Sequence, residues 1–139
     1  MARAKKIEGD EFGQTFAALR KSLLVYSHQL LVAVDKPGDF QLCSRTLKDR
    51  IGRPLFVAGV QIKKNYVSYH LMALYMNPTL QAEISPALRK RMSGKSCFNF
   101  TKITPKQIQE VASLTRTGLE IFNKFQLPWD KAEKRSSDK

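Results

Sequence analysis

The sequence predicts an α+β domain in which an antiparallel sheet of about five strands is covered on one face by the first and last helices. Three observations carry this. Apolar residues near the N-terminus recur at helical spacing, residues 53 to 74 alternate with the period of two that marks strands, and a long helical pattern returns after Pro105. The 139 residues suffice for a single domain with one moderate core.

Asp10 has the chemistry of a helix cap, and behind it Phe12, Phe16, Leu19, Leu23 and Tyr26 fall three and four apart on one buried stripe. The stripe continues through Leu30, so a longer helix competes with one ending near Ser27. The shorter helix is preferred because "LLVAV" is rich in strand formers and runs into "DKPGD", where Pro37 fixes one dihedral and Gly38 supplies the reversal. "FQLCSR" then returns as the other strand of a hairpin, and "TLKDRIG" reads as a polar connection.

The clearest strands are "RPLFVAGVQI" and "YVSYHLMAL", with "KKN" as the turn between them. Taking Lys64 and Asn65 as the loop pairs Ile62 with Val67, Val60 with Tyr69, Ala58 with Leu71 and Phe56 with Ala73, an apolar face. The other face then sets Gln61 against Ser68, Gly59 against His70 and Val57 against Met72. A slip of one residue would mix the two sets, so the register is well specified. "NPTLQAEI" and "SPALRKRM" read as short helical pieces, the second capped by Ser85 with Pro86 in its first turn. "SCFNF" alternates as a short strand, and Thr104 with Pro105 opens a helix bearing Ile108, Val111, Leu114, Leu119 and Phe122.

Composition bounds the function. No apolar run approaches the roughly 20 residues of a membrane-spanning helix, and "MARAKK" leads into "IEGDEF" rather than the apolar stretch of a secretory signal. A cytoplasmic protein with no membrane partner is therefore expected. Cys43 and Cys97 suit a reducing compartment, make no Cys-x-x-Cys motif and have no histidine at metal-finger spacing. They read as small buried hydrophobes in strands, although Lys95 beside Cys97 is a cation that would favour a thiolate.

The formal net charge of +12 is the outlying value. It favours an anionic partner such as nucleic acid, an acidic protein or a phosphorylated small molecule. Part of it sits in "MARAKK" and "DKAEKRSSDK", which read as solvated tails. The resulting division is a flexible basic N-terminus over 1–9, a domain over 10–123 and a C-terminal extension over 124–139. Trp129 in the extension is expected to pack back on the domain rather than anchor a partner.

Gly94-Lys95-Ser96 spells the end of a phosphate-binding loop, which requires G-x-x-x-x-G-K-[ST] between a strand and a helix. Arg89 stands where the first glycine belongs, the preceding segment reads as helix and the following one as strand. The triplet is therefore a turn, with Gly94 expected at the C′ position of the preceding helix.

Around this triplet, "ISPALRKRMSGKSCFNFTKITPKQIQEV" resembles the C-terminal half of the YdhG-like bacterial domain of unknown function in its order of short helix, Gly-Lys turn, strand and final amphipathic helix. "KKNYVSYHLMALY" resembles the central hairpin of that family, and the likeness extends over residues 10–123. The resemblance implies a compact sandwich of the frataxin-like kind. For some members it also implies an iron chaperone, a role that uses carboxylates along the first helix and an edge strand because iron takes hard oxygen ligands. Here the first helix has no acid after Glu11 and carries Arg20 and Lys21, and Tyr66 stands where many YdhG-like hairpins have a histidine. Iron chaperoning is the least favoured reading, and no metal or cofactor is expected.

Two groups of residues are candidate sites. On the polar face of the central hairpin, Gln61, Tyr66, Ser68 and His70 are expected to floor a ligand pocket rimmed by Arg91 and Lys95. Gly59 leaves space above His70, whose imidazole titrates near neutral pH. The competing reading is a solvated or helix-covered sheet face with one hydrogen-bonded histidine. The second group is basic. It comprises Arg45, Lys48, Arg50 and Arg53 before the third strand, and Arg89, Lys90, Arg91, Lys95, Lys102 and Lys106 in a stretch without acids between Glu83 and Glu110. Such point charges suit backbone phosphates, although Phe98 and Phe100 lie two apart on one face and read as core rather than as base-stacking residues.

No RNA-recognition strand motif, helix-turn-helix glycine pattern or zinc finger accompanies the basic clusters. No Ser-His-Asp, Cys-His or paired-carboxylate arrangement is evident either, and His28 falls at an exposed helix-to-strand junction. The sequence therefore predicts a small cytosolic binding or accessory domain, not an enzyme, for an anionic or polar small ligand or a protein partner. Nucleic-acid binding through residues 45–53 and 89–106 is the alternative.

Overall fold

The computed structural model describes residues 11–124. The cap at Asp10, the two tails and Trp129 lie outside the described residues. Helix α1 (Gly13–Leu24) buries Leu19 and Leu23, and Phe12, Phe16 and Tyr26 pack partly buried against the same cluster, as the stripe predicts. At its exit Tyr26 N–H donates to Leu23 C=O (2.9 Å) and Ser27 N–H to Leu24 C=O (3.0 Å), the tighter bonding that closes a last turn. Strand β1 (Leu31–Lys36) follows, so the longer helix does not form.

β1 returns as β2 (Asp39–Lys48) through Pro37-Gly38, with Gly38 at φ 76°, the left-handed value this reversal requires. β3 (Pro54–Ile62) and β4 (Val67–Leu71) form the central hairpin. Three short helices follow: α2 (Met72–Met76), α3 (Pro78–Gln81) and α4 (Pro86–Arg89). Ser85 caps α4, its hydroxyl accepting from Leu88 N–H at 3.2 Å. Strands β5 (Met92–Ser93) and β6 (Cys97–Phe100) lead to helix α5 (Pro105–Lys124). Thr104 and Gln107 open α5 by capping each other's backbone N–H, both at 3.1 Å.

The result is an α+β domain with a six-stranded sheet in the order β1-β2-β3-β4-β6-β5, every neighbouring pair antiparallel. The strand beyond the expected five is the two-residue β5, too short to announce itself by alternation. α1 packs against β3, β4 and α5 on one side of the sheet. Between them Phe40, Val60, Tyr69, Phe98 and Phe100 are fully buried with Leu19, Leu23 and Val111. Phe98 and Phe100 stack on each other with centroids 6.3 Å apart, so they are core, as their spacing predicts. One polar pair is sealed in this core. Thr115 donates its hydroxyl hydrogen to Val111 C=O (2.7 Å), which leaves its oxygen to accept from the Tyr69 hydroxyl (2.5 Å). Burial pushes the Tyr69 phenol above its ordinary pKa, so it remains a donor.

The central register runs as predicted from Ala58–Leu71 to Ile62–Val67. It stops there. Met72 and Ala73 enter α2, so the expected pairs Phe56–Ala73 and Val57–Met72 do not form. The Met72-Ala73-Leu74 run favours helix, and Leu71 N–H is already bonded to Ser96 C=O at 2.9 Å. A second correction concerns parity. β2 pairs Leu42 with Ala58 but Cys43 with Phe56, which makes Val57 an extra residue, a β-bulge in β3. The bulge sends Val57 into the core, fully buried, and turns Phe56 to the opposite face, the reverse of the alternation-based expectation. Gly94 is corrected too. α4 ends at Arg89, and Gly94, at φ 79°, starts the 94–96 turn of the β5–β6 hairpin rather than closing a helix. Among the described residues no helix is long and apolar enough to cross a membrane.

Candidate ligand-binding site

The side chains that alternate with the core project from the other face of the sheet. Antiparallel pairing lines them up in two rows across the strands. One row runs Asp39, Gln61, Ser68 and Asn99, and the next runs Gln41, Gly59, His70 and Cys97. Where the rows meet the bulge, a cavity of about 270 Å³ opens, lined by Gln41, Phe56, Gly59, Gln61, Ser68 and His70. That lies just under the roughly 300 Å³ at which ordinary small-molecule pockets begin, so it suits a ligand of one or two rings.

Three devices shape the cavity. The first is the Phe56 ring, which meets the His70 imidazole edge-on, centroids 5.1 Å apart and planes at 79°. Gly59 makes room for it, because a Cβ there would lie 3.2 Å from Phe56 Cε1 and 3.1 Å from the Phe40 carbonyl oxygen. The space expected above His70 is thus filled partly by Phe56. The second device is the anchoring of His70, whose Nε2 lies 2.8 Å from the Oγ of buried Ser96. Its Nδ1 has no hydrogen-bond partner among the described residues. Burial lowers the imidazole pKa, so the ring is neutral at neutral pH. The third is Asp39. Its Oδ1 accepts from the side-chain nitrogens of Gln41 (2.9 Å) and Gln61 (3.2 Å). A carboxylate can only accept, which fixes both amides with their nitrogens toward Asp39 and leaves two Oε1 acceptors unclaimed by it.

A serine within reach of an imidazole is also the start of a nucleophilic triad. Ser96, however, is buried and absent from the cavity wall, and no carboxylate holds His70 Nδ1 among the described residues. The serine therefore positions the ring.

Of the residues predicted for this site, Gln61, Ser68 and His70 line the cavity. Tyr66 does not: it sits half-buried in the turn before β4, where its carbonyl accepts from Lys63 N–H at 2.7 Å. Arg91 and Lys95 are exposed and outside the lining. Arg91 lies beside Asn99, whose N–H it accepts at 2.8 Å, and so extends the Gln61 row two strands beyond Ser68. Lys95 occupies the β5–β6 turn next to Ser96. Sequence reasoning missed Gln41, Asp39 and Phe56. The polar residue between Phe40 and Leu42 was a legible signal for Gln41, whereas nothing local marks Phe56, because its orientation depends on the bulge. Ser68 Oγ contacts Cys97 Sγ at 2.9 Å, and Cys43, half-buried opposite Phe56, has its thiol pKa raised by burial.

The basic clusters fare differently. Arg45, Lys48, Arg50 and Arg53 gather at the β2–β3 end of the sheet. The second cluster is divided. Arg89 spends its guanidinium on the carbonyls of Gln81 (2.9 Å) and Ile84 (3.3 Å), Lys95 lies at one end of the β5–β6 hairpin, and Arg91 and Lys102 lie at the other. Lys90 is exposed beside them, and Lys106 stands in the first turn of α5. Among the described residues no three of His, Cys, Asp and Glu converge to hold a metal ion. Compared with protein-family models, with curated proteins and with solved structures, the chain matches none. Fold and site together define the class: an α+β domain with a helix-covered sheet face and an open face carrying a small polar cavity.

Proposed function

We propose that this chain is a non-enzymatic binding domain that holds a small, planar, donor-bearing ligand in the cavity on its open sheet face. The observation that carries this reading is the Asp39 anchor. By claiming the nitrogens of Gln41 and Gln61, it turns the cavity into a set of hydrogen-bond acceptors beside the flat walls of Phe56 and His70. A ring bearing N–H groups on one edge can satisfy the two amide oxygens and lie against the aromatic wall. Anionic groups fit poorly beside acceptors and a carboxylate, so any negative part of the ligand would point outward toward Arg91. We read the domain as YdhG-like in architecture and as cytoplasmic; Cys43 and Cys97, both free thiols on strands separated by two others, accord with a reducing compartment.

Native mass spectrometry of gently purified protein, followed by amide and side-chain chemical-shift titration with adenine, cytosine, guanidinium and inorganic phosphate, tests this. The expected outcome is a bound small molecule, or shifts at Gln41, Gln61 and His70 with a donor-bearing ring and not with phosphate, lost in Phe56→Ala. A clean apo mass with no shift from any probe would sink the reading.

A further inference from the structure

The open face has a charged rim at one end of the sheet. There the β1–β2 turn lies beside the β3–β4 turn, joined where Ile62 N–H donates to Gly38 C=O at 2.8 Å. β5 starts at the same end, since Arg91 C=O accepts from Asn99 N–H at 2.8 Å while Phe100 of β6 pairs with Val67. Lys36, Lys63, Lys64 and Arg91 therefore gather along this end, all of them exposed. Two of them terminate the polar row that crosses the cavity. Lys36 pairs with Asp39 and Arg91 with Asn99, so the row runs Lys36, Asp39, Gln61, Ser68, Asn99, Arg91.

These cations are free to meet a ligand. Arg20 is spent on Asp35 and Arg53 on Asp49, but among the described residues the side chains of Lys36, Lys63, Lys64 and Arg91 make no ion pair or hydrogen bond. Asp39 is the one carboxylate in the row, and its Oδ1 is taken by Gln41 (2.9 Å) and Gln61 (3.2 Å). Four cations against that carboxylate leave a local charge of +3. Five strand spacings of about 4.8 Å set Lys36 and Arg91 about 24 Å apart across the sheet. The cavity opens between them, at Gln61 and Ser68.

We infer that single-stranded RNA lies along this row, an inference that rests on the cavity holding a flat, donor-bearing ring. One unpaired base enters the cavity, and the phosphates on either side of it meet Lys36, Lys63, Lys64 and Arg91. Charge complementarity and span favour this occupant. A single phosphate cannot reach cations about 24 Å apart, whereas a chain of phosphates engages them all. The strand is single because pairing in a duplex consumes the base edge that the amide oxygens would read, and an unpaired base can lie against Phe56 and His70. RNA is favoured over DNA because each 2′-hydroxyl adds a donor for a row that offers glutamine, serine and asparagine oxygens. A run of acidic side chains would meet the cations, yet it would bring acceptors to a cavity of acceptors.

The test uses the full chain and a fluorescent RNA of about ten nucleotides, alternating cytidine and adenosine, beside the two nucleosides alone. Four phosphates neutralised on a single strand give a log–log salt slope near −2.8, so affinity should fall about 50-fold between about 50 and about 200 mM salt. Lys36→Gln and Arg91→Gln, at exposed sites, should each flatten the slope by about 0.7 and together by about 1.4. Phe56→Ala should weaken binding at an unchanged slope. Arg116→Gln, exposed on α5 across the sheet, should change nothing. Nucleoside shifts at Gln41, Gln61 and His70 without tighter binding of the RNA would leave the cavity its ring and overturn this inference alone. Silence from nucleosides and RNA alike would sink both. Salt-steep RNA binding that survives Phe56→Ala and Arg91→Gln unchanged would put the RNA elsewhere and overturn it too. So would DNA of the same sequence, or poly-glutamate, displacing the probe as well as unlabelled RNA does.

Discussion

Along β4, Val67, Tyr69 and Leu71 are fully buried against the helices, while Ser68 and His70 between them stand half-exposed in the opposite face. The two sets share one backbone, one register and the same neighbouring strands. They differ in what covers them. On the core face the side chains sit in one buried cluster with residues of α1 and α5, so their identity is dictated by volume and hydrophobicity. On the open face water does the covering, and a polar residue there carries little folding free energy unless another residue claims it. Asp39 and Ser96 make such claims, and the residues they hold, Gln41, Gln61 and His70, are those that shape the cavity. The comparison teaches that stability and recognition are separable in this sheet, one residue apart.

The largest contrast should appear between neighbours on β6. Phe98→Ala removes a fully buried ring and is expected to cost about 3–5 kcal/mol, whereas Asn99→Ala should stay within about 0.5 kcal/mol, both read from urea unfolding midpoints. Equal costs would erase the distinction between the faces.

Gly59 is the place where the two faces meet. Gly59→Ala sets a Cβ 3.1 Å from the Phe40 carbonyl oxygen, which the sheet holds in place, and 3.2 Å from the Phe56 ring edge. A loss of about 1–3 kcal/mol is expected, together with displacement of Phe56 and weaker ligand binding. Wild-type stability with unchanged Phe56 ring resonances would mean that the glycine does not shape the pocket.

Within the core, the Tyr69–Thr115 pair should respond asymmetrically. Thr115→Val strands the Tyr69 hydroxyl in an apolar site, at about 1–3 kcal/mol, while Tyr69→Phe leaves Thr115 still bonded to Val111 and should cost about 1 kcal/mol. Thermal unfolding of the two variants side by side would expose a reversed order.

The smallest effect belongs to pH. Burial lowers the folded-state pKa of His70 below the unfolded value of about 6.5, so the unfolded chain binds the proton more readily. The resulting stability is fully present above about pH 6.5 and is lost as pH falls from there through the folded pKa. The difference in stability between wild type and His70→Gln should therefore shrink over that window. A constant difference would show that burial does not hold the imidazole neutral.

Much of this was legible in the residues. The Ala58–Leu71 to Ile62–Val67 register followed from alternation, since any slip would have put Gln61 or His70 into the core. Ser85 and Thr104 announced their helices because a cap acts over three residues and needs nothing distant. Four of the six residues that line the cavity, Gly59, Gln61, Ser68 and His70, came with the register. Gln41 and Phe56 did not, and elsewhere in the fold each misread element has its own cause. Met72 looked like strand because it continues an apolar run, yet tertiary space and helix propensity end β4 before it. Gly94 looked like a helix end because β5, at two residues, is too short for a pattern.

The sequence by itself determined which residues alternate, where turns and caps fall and which side chains are apolar enough to be core. Those choices rest on local sterics and a two-residue period, and both act within a few positions of the chain. Only the tertiary structure decided that Val57 is surplus to its neighbour strand, so that Phe56 changes faces and walls the cavity. Only it brought Asp39 to Gln61 and Ser96 to His70, across 22 and 26 residues of chain. Such contacts are properties of strand pairing between distant segments. The free energy that selects them is shared over the whole sheet, and no short stretch of residues carries it alone.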